Sequence, residues 1–288
     1  MRRVSGRVSL LPWLRLAACV ALLAACSRAE TPKVTPVTVT MRVAADTAAL
    51  PLMQALTDAY TAAHPNIIFT IQSGNAQAAA ERVFASRADI AAVSILPPRS
   101  KGRAAPWVAD LAMDGVAIVV NPANPIETLS MQELRDIFAG VHSRWNDFGI
   151  VGLNDIQVVV REEGDGTRAT FDNLVMDDTH LTFSAVIMPS VEVAMNLVSL
   201  DANAIAYVPT ARITSTVTPA VKVVGIEGQL PTPANIAAGG YHLTRMLNLI
   251  ASAEPQGDLR LFVAWALGDE GQRIARDLNY VAAAQAPR

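Results

Sequence analysis

Ile156-Gln157-Val158-Val159-Val160-Arg161-Glu162-Glu163-Gly164-Asp165-Gly166-Thr167-Arg168-Ala169-Thr170-Phe171 runs from a β-branched stretch, through a glycine-rich turn, into a helical pattern. Branched residues favour a strand, and two glycines within three positions allow a tight turn. Such a turn exposes backbone N–H groups at a helix start, where an anion is stabilised. Arg161 could fork onto two oxygens of one ligand. Thr167 could donate to that ligand, or it could simply cap the helix while Gly166 makes the turn. The residues alone leave both readings open.

The same rhythm extends in both directions. Strands are expected at Met41–Ala45, Ile67–Gln72, Ile90–Ser94, Gly115–Asn121, Ile156–Arg161, Ala204–Val208 and Val221–Ile226. Helices are expected at Leu50–Ala63, Ala76–Ser86, Gln132–Phe138, Thr167–Met176, Val191–Leu200, Tyr241–Ala253 and Gly257–Leu278. Leu52, Leu56, Tyr60 and Ala63 mark one helical face, and Pro65 ends that helix. Ser130 with Glu133 has capping-box spacing. Strand–helix alternation predicts an α/β fold with mainly parallel sheets covered on both faces. In such folds ligands bind beyond the carboxyl ends of strands.

Composition narrows the function. The chain has 288 residues, 51% hydrophobic and 17% charged, enough for a sizeable core and against disorder. The formal charge of −3 hides an asymmetry: residues 1–25 hold four arginines and no acid. Beyond them, 19 basic side chains face 26 acidic ones, a poor surface for nucleic acid.

Leu16–Ala25 is an uncharged run of ten residues, too short to cross ~30 Å of hydrocarbon. It follows arginines and ends in Leu23-Ala24-Ala25-Cys26, which resembles a bacterial lipobox. Residues 1–25 are therefore expected to be a signal peptide and Cys26 the lipidated first mature residue. Residues 26–40, rich in Pro and Thr, are expected to be a tether. No cysteine follows Cys26, so a disulfide, a thiol nucleophile or a cysteine zinc site is not expected. The four histidines share no metal-ligand spacing, and no nucleophile–base–oxyanion-hole set assembles. Gly164-x-Gly166-x-x-Ala169 matches a dinucleotide fingerprint only in relaxed form. No catalytic residue, metal or cofactor is expected.

The sequence resembles the phosphate-type substrate-binding proteins of ABC transporters, whose pattern Arg-x-x-Gly-Ser-Gly-Thr is similar to Arg161–Thr167. Other pieces fall in that family's order: Gly115–Asn121, Ile137-Phe138-Ala139-Gly140 with Trp145-Asn146-Asp147, Ala204–Val208, and Glu270-Gly271-Gln272 with Asn279-Tyr280-Val281. The resemblance spans about residues 42–283. It implies the two-lobed periplasmic-binding-protein (type II) fold with two crossovers at a hinge. Lobe one would be 41–118 plus 210–288, and lobe two 119–209.

It also implies a ligand site between the lobes, formed by Thr47, Ser73, Gly74, Asn75 and Ser94 from one side. Arg161, Asp165, Gly166 and Thr167 would come from the other. Three positions depart from the family pattern. Asp46 lies in the first loop, Ile95 stands where a polar residue is frequent, and Asp165 replaces a serine. Two acids near one anion matter, since a like-charge pair at 4 Å costs about 4 kcal/mol at an effective dielectric of 20. Asp46 and Asp165 would accept a ligand proton or define another specificity. The expected function is extracytoplasmic capture of a small oxyanion, phosphate first, by a monomeric lipoprotein that hands it to an ABC permease. The alternative is a sensory or scaffolding lipoprotein whose site is altered.

Overall fold

The computed structural model describes residues 37–98, 102, 104–213 and 220–283. Cys26 and the expected signal peptide, residues 1–25, lie outside these residues. Among the described residues, no helix is long and apolar enough to cross a membrane.

In chain order the first strands and helices are β1 (Val39–Asp46), α1 (Leu50–Ala63), β2 (Ile67–Gly74), α2 (Ala76–Phe84), β3 (Ile90–Val93) and β4 (Trp107–Val120). There follow β5 (Thr128–Leu129), α3 (Met131–Ala139), β6 (Gln157–Arg161), α4 (Gly166–Phe171), β7 (Val186–Met188), α5 (Val191–Leu200) and β8 (Ala204–Pro209). The chain closes with β9 (Lys222–Ile226), α6 (Pro233–Ala237), β10 (Thr244–Ala251), α7 (Gly257–Leu267), α8 (Asp269–Asp277) and β11 (Val281–Ala282).

The strands lie in the order β2-β1-β3-β10-β4-β8-β6-β7, with β9 and β11 also on β4. β1 is parallel to β2 and β3, and β6 is parallel to β7 and β8. β4 runs antiparallel to all its partners. Its first part, Trp107–Gly115, pairs with β10, while Val116–Val120 pairs with β8 and β9. One 14-residue strand thus belongs to both halves of the sheet. Its residues Leu111–Val120 are buried throughout, which explains a near-continuous apolar run instead of an alternating one. Separate apolar clusters fill the two faces of each half. Leu52, Leu56, Phe262 and Leu249 pack on one side of the β1–β3 half. Phe138, Trp145, Phe171 and Tyr207 pack in the β6–β8 half.

Local signals explain several ends. Ser130 and Glu133 form the expected capping box, and α3 stops at Gly140 in the left-handed region (φ 79°). α4 continues as a wider helical turn over Asp172–Met176.

Three expectations differ from the structure. Residues 241–253 were expected to be helical, but Thr244–Ala251 forms β10, hydrogen-bonded to β3 and β4 on its two edges. Leu and Met favour helices in isolation, yet pairing on both sides overrides that preference. The expected helix 257–278 is two helices, because Gly268 is extended (ψ −179°). α8 then folds back so closely that a Cβ on Gly271 would lie 2.3 Å from the Ala266 carbonyl oxygen. β1 begins at Val39, inside the stretch read as tether, since the Val39 N–H bonds the Asn66 carbonyl at 2.8 Å. Elsewhere, β9 pairs with Ile118–Val120 and with β5, and Ile236, Tyr241 and Leu243 pack among Phe138 and Tyr207. β9 is thus hydrogen-bonded to the part of the sheet that carries β5 and β8.

Candidate functional site

Two loops meet where the halves of the sheet join. One leads from β1 into α1, the other from β6 into α4, and each places an aspartate before its helix.

Asp46 ends β1 and is fully buried. Its Oδ1 accepts from the Ala48 and Ala49 amides at 3.1 and 2.8 Å. Its Oδ2 accepts from the Ser94 amide and from the Ser94 hydroxyl, both at 2.6 Å. The α1 start carries no side-chain cap on Ala49, so Asp46 satisfies amides that would otherwise be orphaned.

Asp165 is the N-cap of α4. Its Oδ1 accepts from the Thr167 and Arg168 amides at 2.9 and 3.0 Å. Its Oδ2 accepts from the Thr47 hydroxyl at 2.9 Å and lies 3.2 Å from Arg161 Nη1. The Thr47 oxygen in turn accepts from the Gly166 amide at 2.8 Å. Gly166 is pressed against the opposite loop: a Cβ there would lie 3.0 Å from the Ala48 Cβ and 3.2 Å from the Ser94 hydroxyl. A side chain at 166 would make the opposite loop give by a few tenths of an ångström.

Arg161, at the end of β6, is buried and oriented from several sides. It donates to Glu162 at 2.8 and 3.0 Å and to the Met188 and Pro189 carbonyls at 3.1 and 3.2 Å. Burial opposes ionisation of Glu162, but the hydrogen bond and charge of Arg161 outweigh it and hold that carboxyl below the usual range. The Arg161 amide donates to the Tyr207 hydroxyl at 3.1 Å, and burial pushes that phenol's pKa up.

A second buried network lies behind the seam. Arg245 of β10 donates to Asp114 of β4 at 2.6 Å, with the two side chains 2% and 0% exposed. The same guanidinium reaches across to the Thr167 and Thr170 hydroxyls at 3.2 and 3.3 Å. Thr210 donates to the other Asp114 oxygen at 2.7 Å and accepts from the Gly115 amide.

The structure brings together Thr47, Ser94, Arg161, Asp165, Gly166 and Thr167 from the expected set. The outcome for their donors differs from expectation. The Thr47 and Ser94 hydroxyls and the Thr167 amide, expected to face a ligand, donate to the chain's own carboxylates, and Arg161 pairs with Asp165. The physical reason is that a carboxylate at a helix start accepts the same amides as an oxyanion. Asn75 instead caps α2, accepting from the Ala78 amide at 2.7 Å, and lies beside Gly164, where a Cβ would be 3.5 Å from its Nδ2; both line a cavity of about 440 Å³. Gly166 and Ile95 line that cavity as well. Gly74 stands beside Asp46 in register, and Ser73 is exposed outside these hydrogen bonds. Sequence reasoning missed Asp114 and Arg245. An acid inside the apolar run Leu111–Val120 was the available signal, but its partner lay in a segment read as helix.

Two α/β halves share one long strand, and the glycine-rich β6–α4 loop meets the β1–α1 loop between them, the architecture of the periplasmic-binding-protein fold. The chain belongs to the PBP superfamily domain family, whose sequence model matches residues 30–270. It is 23% identical over 245 residues to the phosphate-binding protein PstS of Bacillus subtilis, covering 84% of this chain and 80% of that protein. It is 33% identical over 106 residues to the phosphate-binding protein PstS 2 of Streptococcus pneumoniae, covering 37% of this chain and 36% of that one. Among solved structures, an ABC-type phosphate transport receptor from Vibrio cholerae matches with TM-score 0.72 and 26% identity, covering 84% of this chain and 99% of that one. A Clostridium perfringens structure with bound phosphate, assigned as a phosphate ABC transporter substrate-binding protein, matches with TM-score 0.76 and 24% identity, covering 85% and 99%.

Proposed function

We propose that this protein is a solute-binding protein that captures a small oxyanion, phosphate first, at the seam between its two halves. Each half forms a lobe, approximately residues 41–114 with 244–283, and residues 116–243, hinged in β4 and between β9 and β10. The observation that carries the reading is the donor set gathered on Asp165: the Thr167 and Arg168 amides, the Thr47 hydroxyl and the Arg161 guanidinium. These groups hold negatively charged oxygen in a buried place, which is what an oxyanion site must do. Hydrogen bonds to charged groups contribute about 1.5–3 kcal/mol each. The relatives are named for phosphate binding, not for a catalysed reaction. We further propose export, lipidation at Cys26, and delivery of the solute to an ABC permease, the lipobox-like Leu23–Cys26 supporting the anchor.

Calorimetric titration against phosphate, sulfate, molybdate, tungstate and small carboxylates tests this. Phosphate is expected to bind saturably, and Arg161→Ala to weaken it about tenfold or more, equal to about 1.4 kcal/mol. Phosphate binding that survives Arg161→Ala unchanged, or no binding of any anion on the panel, overturns the assignment.

A further inference from the structure

We propose that Asp165 is a resident occupant of the solute's place, so that the two halves close without solute and an incoming oxyanion must displace its carboxylate. This rests on the oxyanion reading of the seam.

The contacts separate a cap from a bridge. Through Oδ1, Asp165 serves only its own helix, accepting from Thr167 and Arg168. Through Oδ2 it spans the seam, accepting from Thr47 of the opposite loop while facing Arg161 of its own. Thr47 completes the bridge by accepting from the Gly166 amide. Gly166 then sits close against Ala48 and Ser94, where a Cβ would lie 3.0 and 3.2 Å from their side-chain atoms. A tetrahedral anion among these donors needs the position Oδ2 holds, since its oxygens would take Thr47 and Arg161. The Thr47 hydroxyl and Arg161 Nη1 cannot give the same hydrogen bonds to Oδ2 and to a ligand oxygen in its place. The side chain must therefore swing out, toward the 440 Å³ cavity that opens beside Gly164 and Gly166. Asp165 sets the affinity of the site as a competitor tied to the chain. A site whose competent form is only a fraction of the population has its apparent affinity lowered by that fraction.

The test uses two variants of the purified protein, each examined with and without inorganic phosphate. Asp165→Ser keeps a capping oxygen but removes the charge and the reach to Thr47 and Arg161. Asp165→Asn keeps Oδ1 for the helix amides and turns an NH₂ toward Arg161, so one of the two serves if the other folds poorly. Small-angle scattering should show a larger radius of gyration for the variants than for the wild type without phosphate, and contraction to the wild-type value with it. The wild type should barely change. Phosphate should bind Asp165→Ser about tenfold or more tightly than the wild type, the factor by which an internal competitor holding nine-tenths of the population lowers affinity. Variants as compact as the wild type without phosphate, or a wild type that contracts on phosphate as they do, overturn the proposal. Should none of the three proteins bind phosphate while the variants still expand, the bridge stands and the oxyanion reading falls. Equal affinity and unchanged dimensions in all three would remove the bridge alone.

Discussion

Asp46 and Asp165 stand between a strand and a helix in opposite halves of the molecule, the first ending β1 and the second capping α4, each with both oxygens engaged. They differ in whose donors they use. Asp46 draws on Ala48, Ala49 and Ser94, all attached to the β1–β3 half. Asp165 draws on Thr167 and Arg168 from its own half and on Thr47 from the other. A carboxylate satisfied within one half stabilises that half whether the molecule is open or shut. A carboxylate satisfied by both halves is coupled to their approach. Asp46 is therefore a brace within one half, and Asp165 is both a helix cap and a bridge between the halves.

The largest expected effect lies in the buried ion pair behind the seam, within the β1–β3 half. Among the described residues, Arg245 is the basic side chain bonded to the buried Asp114. Arg245→Ala leaves that charge with only the Thr210 hydroxyl, and should cost about 3–5 kcal/mol in chemical denaturation. A loss below about 1 kcal/mol would mean the carboxylate is solvated or neutral, contrary to its burial. Next comes Asp46→Ala, which orphans the two amides leading into α1 and both Ser94 donors, with an expected loss of about 2–4 kcal/mol. Asp165→Ala should lose less, about 1 kcal/mol, because Arg161 keeps Glu162 and two carbonyls. Equal losses at positions 46 and 165 would erase the distinction between brace and bridge.

The smallest effect concerns a third carboxylate that lacks such donors. Asp172 ends α4 with its Oδ1 buried and unpartnered, and Arg168 lies 3.4 Å from Oδ2. Burial raises the Asp172 pKa, and the Arg168 charge offsets this only in part. A folded-state value above the unfolded one means the native state holds the proton longer. Its contribution to stability is therefore lost as pH rises from the ordinary carboxyl range through the raised value. Asp172→Asn should flatten that slope and raise the melting temperature slightly at neutral pH, as thermal unfolding across pH 4–7 would reveal. An unchanged slope would place the group in solvent.

Much of this fold was legible because local signals agreed with tertiary ones. Ser130 and Glu133 announced α3, and the continuous apolar run 115–121 announced a central strand. The Arg161–Thr167 turn was found from its glycines alone, and the structure places it at the seam. What was not legible depended on neighbours distant in sequence. β10 reads as a helix until β3 and β4 flank it, and Arg245 then gains a partner 131 residues away. The acids at 46 and 165 were visible as departures from a pattern. That they would satisfy the donors around them, one within a half and one between halves, required coordinates.

The central claim is that the loops bearing Thr47 and Gly166 together form the solute site. Backbone amide chemical shifts, followed by NMR while inorganic phosphate is titrated into the purified protein, test it most directly. The account predicts concerted, saturable movement of the Thr47, Ala48, Gly166, Thr167 and Arg168 amides, with the distant Ser130–Gly140 helix unmoved. Phosphate that shifts other amides while leaving these two loops unchanged would contradict it.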